Sequence, residues 1–225
     1  GIHIHLAESR EMADQIRRVY GMSEVELLGE LGLLGLDVLA VHCIHLSERD
    51  IQLMAEHHVK AVYNPISNMK VATGIAKIHD LKEAGVTVCL GTDGPASNNS
   101  LDMFEEMKVA ALLQKVSYMN PRVLPVRTVV EMATIEGAKA LGLERWIGSL
   151  EAGKKADLIL VDVRRPHLTP MHNPYAGLVY SAHGSDVDTV IVDGRVLMEG
   201  RRVLTLNEEE VMARAEEAAF NLLAR

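Results

Sequence analysis

The sequence predicts an α/β fold: half of a (β/α)8 barrel over residues 1–148, followed by a small β module over residues 149–225. Three observations predict it. Short apolar runs alternate with amphipathic segments from residue 1 to about 118. Polar residues of catalytic type gather directly after those runs. Beyond about residue 148 the pattern changes to closely spaced strand-like stretches. Strands alternating with helices build a parallel sheet, and in such sheets the chemistry collects at the carboxyl ends of the strands.

The apolar runs are Ile2–Ala7, Val38–His42, Val59–Tyr63 and Val86–Gly91. Each is too short for a helix and rich in Val, Ile and Leu, as buried parallel strands are. The stretches 10–20, 47–57, 74–84 and 100–118 carry helical spacing of apolar residues. Ser47, with Asp50 three positions on, is a capping pattern for the second of them. Four such units are half of a barrel whose active site lies on the carboxyl-end face. Pro121 and Pro125 break the pattern, and a further helix is predicted over 126–141. "ADLILVDV" and "VDTVIVDGRVLMEGRRV" read as antiparallel strands, with Asp193-Gly194 a type I′ hairpin turn. Asn207 and the acidic residues after it open a last helix over 207–224.

Composition sets the outer limits. The chain has 225 residues, 48% hydrophobic and 24% charged, enough to bury a substantial core. Its net charge is −8 and it has no Lys/Arg cluster, which argues against a nucleic-acid partner. No apolar run reaches the roughly 18 to 20 residues that span a bilayer, so no membrane partner is expected and a cytoplasmic location is. Cys43 and Cys89 each sit in an apolar run without a C-x-x-C partner, and are expected as buried free thiols.

The candidate chemistry lies at the ends of the runs. Strand periodicity places His3 and His5 on one face, with Glu8 just beyond the strand end. "AVHCIHLSERD" ends the second run with His42 and His45, and "LGTDGPASNNS" ends the fourth with Asp93. Imidazole and carboxylate together suit one divalent metal, Zn²⁺ first and Fe²⁺ as the alternative. The Met residues at 103, 107, 119 and 132 are assigned to core packing. "SNNS" at 97–100 is read as a cap for the next helix through Asn99 or Ser100, and "NPISN" as a turn built on Asn-Pro.

"HLAES", "AVHCIHLSERD", "NPISNMKVATGIAKI" and "GTDGPASNNSLDMFEEMK" resemble, in order, strands five to eight of the amidohydrolase superfamily barrel. They look closest to its group of adenosine-type deaminases and triazine chlorohydrolases. "GSLEAGKKADLILVD" is similar to the segment with which these enzymes re-enter an accessory β-sandwich. The resemblance implies a C-terminal half, with a complementary N-terminal half of the barrel as partner and a C-terminal β-sandwich portion after residue 148. It makes His5 a metal ligand, and Asp93 both a ligand and the base that takes a proton from the attacking water. Glu8 becomes the acid that protonates the ring nitrogen, and His42 the group that holds the reacting oxygen. His3 is then structural. The implied substrate is a purine nucleoside of the methylthioadenosine or S-adenosylhomocysteine type, bordered by Glu8, His42 and Asp93. Guanine or triazine chemistry is the alternative. From another class, the chain is an inactive fragment or a split-barrel subunit, whose open sheet edges would invite a complementary half or a second copy of itself.

Overall fold

The computed structural model describes residues 1–224. Its first sheet is parallel and follows chain order: β1 (Ile2–Leu6), β2 (Val38–His42), β3 (Lys60–Tyr63) and β4 (Val88–Leu90). The helices between them are α1 (Arg10–Tyr20), α2 (Glu24–Glu30), α3 (Glu48–Glu56), α4 (Pro65–Lys70) and α5 (Ile78–Glu83). Beyond β4 come α6 (Pro95–Asn98), α7 (Met103–Ser117), α8 (Val126–Met132) and α9 (Ile135–Ala140).

Register decides where the side chains of the rim stand. Leu6 pairs with His42, Val41 with Val62, and Tyr63 with Leu90. The four strands therefore finish at one level, and the residues that follow each of them share one edge of the sheet. Beneath that edge Val38, Ala40, Ala61, Val88, Met54, Ile78, Leu81 and Met132 form a buried core between sheet and helices.

Local chemistry explains the helix ends. Ser47 and Asp50 close a reciprocal capping box on α3, as the sequence predicts. Ser23 and Glu26 do the same for α2, a helix absent from the sequence reading. α4 and α6 both start on a proline, whose fixed φ suits the first helical position. "NPISN" is thus a helix start and not only a turn. The helix expected over 126–141 is two helices, because Thr134 leaves helical geometry at φ −131° and ψ −95°. The helix expected over 74–84 is confined to α5, and Asp102, not Asn99 or Ser100, caps α7. Met107 and Met132 are core residues, whereas Met119 is exposed in the turn after α7.

The remaining chain forms an antiparallel sheet in the order β5 (Leu158–Val161), β6 (Val187–Val192), β7 (Arg195–Glu199), β8 (Arg202–Val203). Asp193 and Gly194, at φ 49° and 76°, make the predicted tight turn between β6 and β7. Between β5 and β6, α10 (Pro174–Tyr180) returns to pack on α7 and α8, and its Val179 joins the core beneath the parallel sheet. The last helix, α11 (Glu208–Leu223), is capped by Asn207, whose side chain accepts from the Glu210 amide. No helix among the described residues is long and apolar enough to cross a membrane. Cys43 and Cys89 are buried and free; burial pushes the Cys89 thiol up to about 11 and the Cys43 thiol further still.

Candidate active site

At the end of β1 the chain turns sharply at Ala7, whose φ is 49°. That turn is fastened from both sides. The Ala7 amide donates to Glu24 Oε2 at 2.9 Å, and its carbonyl accepts from the amides of Ile44 and His45 at 3.0 and 2.9 Å. Glu8 follows, and Ser9 then caps α1. The turn delivers Glu8 between two imidazoles: Oε2 lies 3.6 Å from His5 Nδ1, and Oε1 lies 3.7 Å from His42 Nε2. The rings of His5 and His42 meet edge to face with centroids 5.0 Å apart. The donor atoms of His5, Glu8 and His42 all lie within 4.8 Å of one another.

His42 enters this cluster by breaking strand alternation. Side chains on a strand alternate between faces, so the parity of β2 would align His42 with Val38 and Ala40. Its own φ of 74°, with 53° at Cys43, leaves the extended region at that point. The imidazole is buried, and Nδ1 is paired with Asn68 Oδ1 at 2.7 Å. Because a carboxamide oxygen only accepts, Nδ1 carries the hydrogen and Nε2 is the atom turned toward Glu8. That Nε2 has no hydrogen-bond partner among the described residues.

Asp93 stands beyond β4 with φ 59°, outside the group formed by His5, Glu8 and His42. Its Oδ2 accepts from the hydroxyls of Ser67 at 2.6 Å and Ser97 at 2.8 Å, and its Oδ1 from the Gly94 amide at 2.8 Å. Partial burial alone would raise its pKa. Those three donors and the nearby His42 outweigh it and hold the carboxyl below its usual value. Ser67 and Asn68 are neighbours on α4, so one short helix steadies both Asp93 and His42.

His3 and His5 are exposed on the same face of β1, in line with strand periodicity. His45 turns away and pairs through Nε2 with the Thr73 carbonyl. Ser67 was missed as a functional residue in the sequence, whereas Ser97 and Asn98 fall in the "SNNS" loop, which the family resemblance places at the border of the substrate without assigning them this supporting role. The recurrence of short hydroxyl and amide side chains after "NP" and after "TDG" was the only signal for them.

Over 223 residues the chain is 56% identical to a 5-methylthioadenosine/S-adenosylhomocysteine deaminase of Desulforudis audaxviator, with 99% of this chain and 52% of that protein covered. It is 53% identical over 225 residues to a 5′-deoxyadenosine deaminase of Methanosarcina acetivorans, with 100% and 52% covered. The chain spans about half the length of the curated relatives it matches. A crystal structure of an adenosine deaminase from Xanthomonas campestris with bound zinc superposes with a TM-score of 0.97 at 34% identity, over 99% of this chain and 51% of that one. The model of the Amidohydrolase family matches residues 1–197, which takes in the whole parallel sheet and the rim just described. By that match and by the order of its strand-end residues, the chain belongs to the amidohydrolase family.

Proposed function

We propose that the protein containing this chain is a metal-dependent aminohydrolase. It converts adenosine-type nucleosides carrying a 5′ modification, of the methylthioadenosine or S-adenosylhomocysteine kind, to inosine analogues and ammonia. The observation that carries this reading is the contrast between two carboxylates on one rim. Asp93 is held by three hydrogen-bond donors. Glu8 accepts no hydrogen bond from the described residues and lies between two imidazoles. Two carboxyl groups in different environments are the arrangement that divides base from acid.

The donors fit a divalent metal: His5 and Asp93 offer imidazole and carboxylate, and the buried Nε2 of His42, grouped with His5, has no hydrogen-bond partner among the described residues. Zinc, with iron as the alternative, would be held by His5 and Asp93 together with ligands from elsewhere in the protein, and would make water acidic enough to attack near neutral pH. Asp93, kept anionic by its donors, accepts the proton of the attacking water. Glu8 gives a proton to the ring nitrogen beside the attacked carbon, which draws electron density from that carbon as the new bond forms. His42 has its ring orientation set by Asn68 and turns Nε2 toward the space where the reacting oxygen would be held. The amino group then takes the proton held on Asp93 and leaves as ammonia, while the new hydroxyl returns its proton to Glu8 as the carbonyl forms. The names of the relatives favour adenosine-type substrates over guanine or triazines.

The test is Glu8→Gln in the complete enzyme. A general acid contributes about 10²- to 10⁴-fold, so kcat with methylthioadenosine should fall at least that far while zinc content holds. Purine absorbance follows the turnover. Near-normal turnover with zinc bound would remove Glu8 from the mechanism. Turnover of guanine or a triazine in place of the nucleosides would overturn the substrate class.

A further inference from the structure

Glu106 is fully buried on α7 and has no part in the reaction described above. Its two oxygens accept from two different elements. Oε1 takes Asn98 Nδ2 at 2.5 Å, at the end of α6, and Oε2 takes the Ile66 amide at 3.4 Å, in the first turn of α4. The same Asn98 nitrogen also donates to the Thr92 carbonyl at 2.7 Å, directly before Asp93. Both attached elements then act on the site. In α4 the residues after Ile66 are Ser67, which donates to Asp93, and Asn68, which pairs with His42. In α6 the residue before Asn98 is Ser97, the second hydroxyl on Asp93.

We infer that Glu106 is a positioning residue for this site: it ties α4 to α6, so that Ser67 and Ser97 converge on one oxygen of Asp93 and Asn68 fixes the His42 ring. The inference rests on the reading of Asp93 and His42 as site residues. A buried carboxylate is a costly way to fill space, and an apolar side chain would pack α7 with less penalty. What an apolar side chain lacks is a pair of acceptors for two donors that belong to separate helices. Groups that orient a ligand or a catalytic carboxylate from behind typically alter metal affinity or activity by 10- to 100-fold.

The experiment uses the complete protein and three variants: Glu106→Ala, Glu106→Gln and Met107→Ala. Met107 is the next residue on α7, buried in the core with an apolar side chain, and serves as the packing control. Zinc affinity is read by competition with a chromophoric chelator, kcat and KM with methylthioadenosine, and the Asp93 geometry by crystallography. For Glu106→Ala, zinc binding should weaken and kcat should fall by about 10- to 100-fold each, with KM changing less. The Ser67–Asp93 and Ser97–Asp93 hydrogen bonds should open. Glu106→Gln keeps one acceptor, and its losses should be smaller, at about tenfold, the lower end of that range. Met107→Ala should lower Tm and leave zinc affinity unchanged. The inference is overturned if Glu106→Ala keeps both hydrogen bonds and its zinc, or if Met107→Ala loses as much zinc. Should Glu106→Ala fail to fold, Glu106→Gln decides, and zinc affinity and kcat equal to wild type refute the role. A wild-type enzyme that turns over no adenosine-type nucleoside would instead refute the proposed substrate, while zinc competition and the Asp93 hydrogen bonds still decide the role of Glu106.

Discussion

Burial pushes the carboxyl of Glu106 from an ordinary 4.5 up to about 7; the donors Ile66 and Asn98 oppose the rise, and the charges of Glu105 and Asp93 add to it. A carboxyl whose pKa is raised on folding binds a proton in the folded state that the unfolded chain has released. Between pH 4.5 and about 7 stability therefore falls as pH rises: the cost is absent below the unfolded value and fully present above the folded one. At about 1.4 kcal/mol per pKa unit, the size of the effect is about 3 kcal/mol. Glu106→Gln has no proton to lose. Every other titrating group is common to both proteins, so the stability of the variant relative to wild type should rise by about 3 kcal/mol from pH 4.5 to pH 8. Urea unfolding of the metal-free protein at four pH values across that range measures it. A difference between variant and wild type that stays constant with pH would show that Glu106 is already ionised at its ordinary pKa, and that the burial argument is wrong.

Three further outcomes are expected. His5→Ala in the complete enzyme should lose zinc, whereas His3→Ala should keep it, because only His5 meets Glu8 and His42 at the rim; metal analysis after gel filtration checks both, and equal losses would refute the assignment. Gly91→Ala should destabilise by about 1–3 kcal/mol and reduce activity, since a Cβ there would stand 2.6 Å from Asn64 Oδ1 and 3.0 Å from Val62 Cγ1; thermal melts together with kcat test it. Asp186 would be raised by burial, but the His167 ring and the His183 amide, each at 2.9 Å, hold it low. Asp186→Asn should therefore cost roughly 1.5–3 kcal/mol near neutral pH, with the deficit shrinking as pH falls through the carboxylate range, as melts at pH 3 to 7 would show.

The sequence disclosed the elements whose physics is local. Short Val-, Leu- and Ile-rich runs marked β1 to β4 to within one or two residues, because most positions of these strands are buried and apolar, with His3, His5, His42 and Lys60 as the polar exceptions. Ser47 with Asp50, Asn207, and Asp193-Gly194 marked a helix start, a second helix start and a hairpin, since each satisfies its own backbone within a few residues. The capping box of Ser23 and Glu26 was equally local, and α2 was legible on that ground. The break at Thr134 was not, because no Gly or Pro marks the point. His5, Glu8, His42 and Asp93 could be picked out by residue type and by position after a strand. Of the groups that hold them, Asn68 shares that signal, standing just past the third run, and the others do not. Ser67 reaches Asp93 across 26 residues and Glu106 reaches Ile66 across 40, and contacts at that separation leave no periodicity.

A pattern that only the backbone reveals joins the site residues to one another. Ala7, His42, Cys43 and Asp93 all have positive φ, and all lie at or just past the carboxyl end of a strand in the parallel sheet. Such conformations cost non-glycine residues on the order of 1–3 kcal/mol each and persist where the surroundings over-determine them. The surroundings here can be named: Glu24, Ile44 and His45 hold the Ala7 peptide, Asn68 holds the His42 ring, and Ser67, Ser97 and Gly94 hold the Asp93 carboxylate. An undistorted strand end would keep His42 on the parity of Val38 and Ala40. Leaving the extended region at or just past the ends of β1, β2 and β4 redirects the chain where Glu8, His42 and Asp93 are presented. The strain is therefore part of how the site is made, and the polar residues behind the rim are what make it affordable to a marginally stable fold.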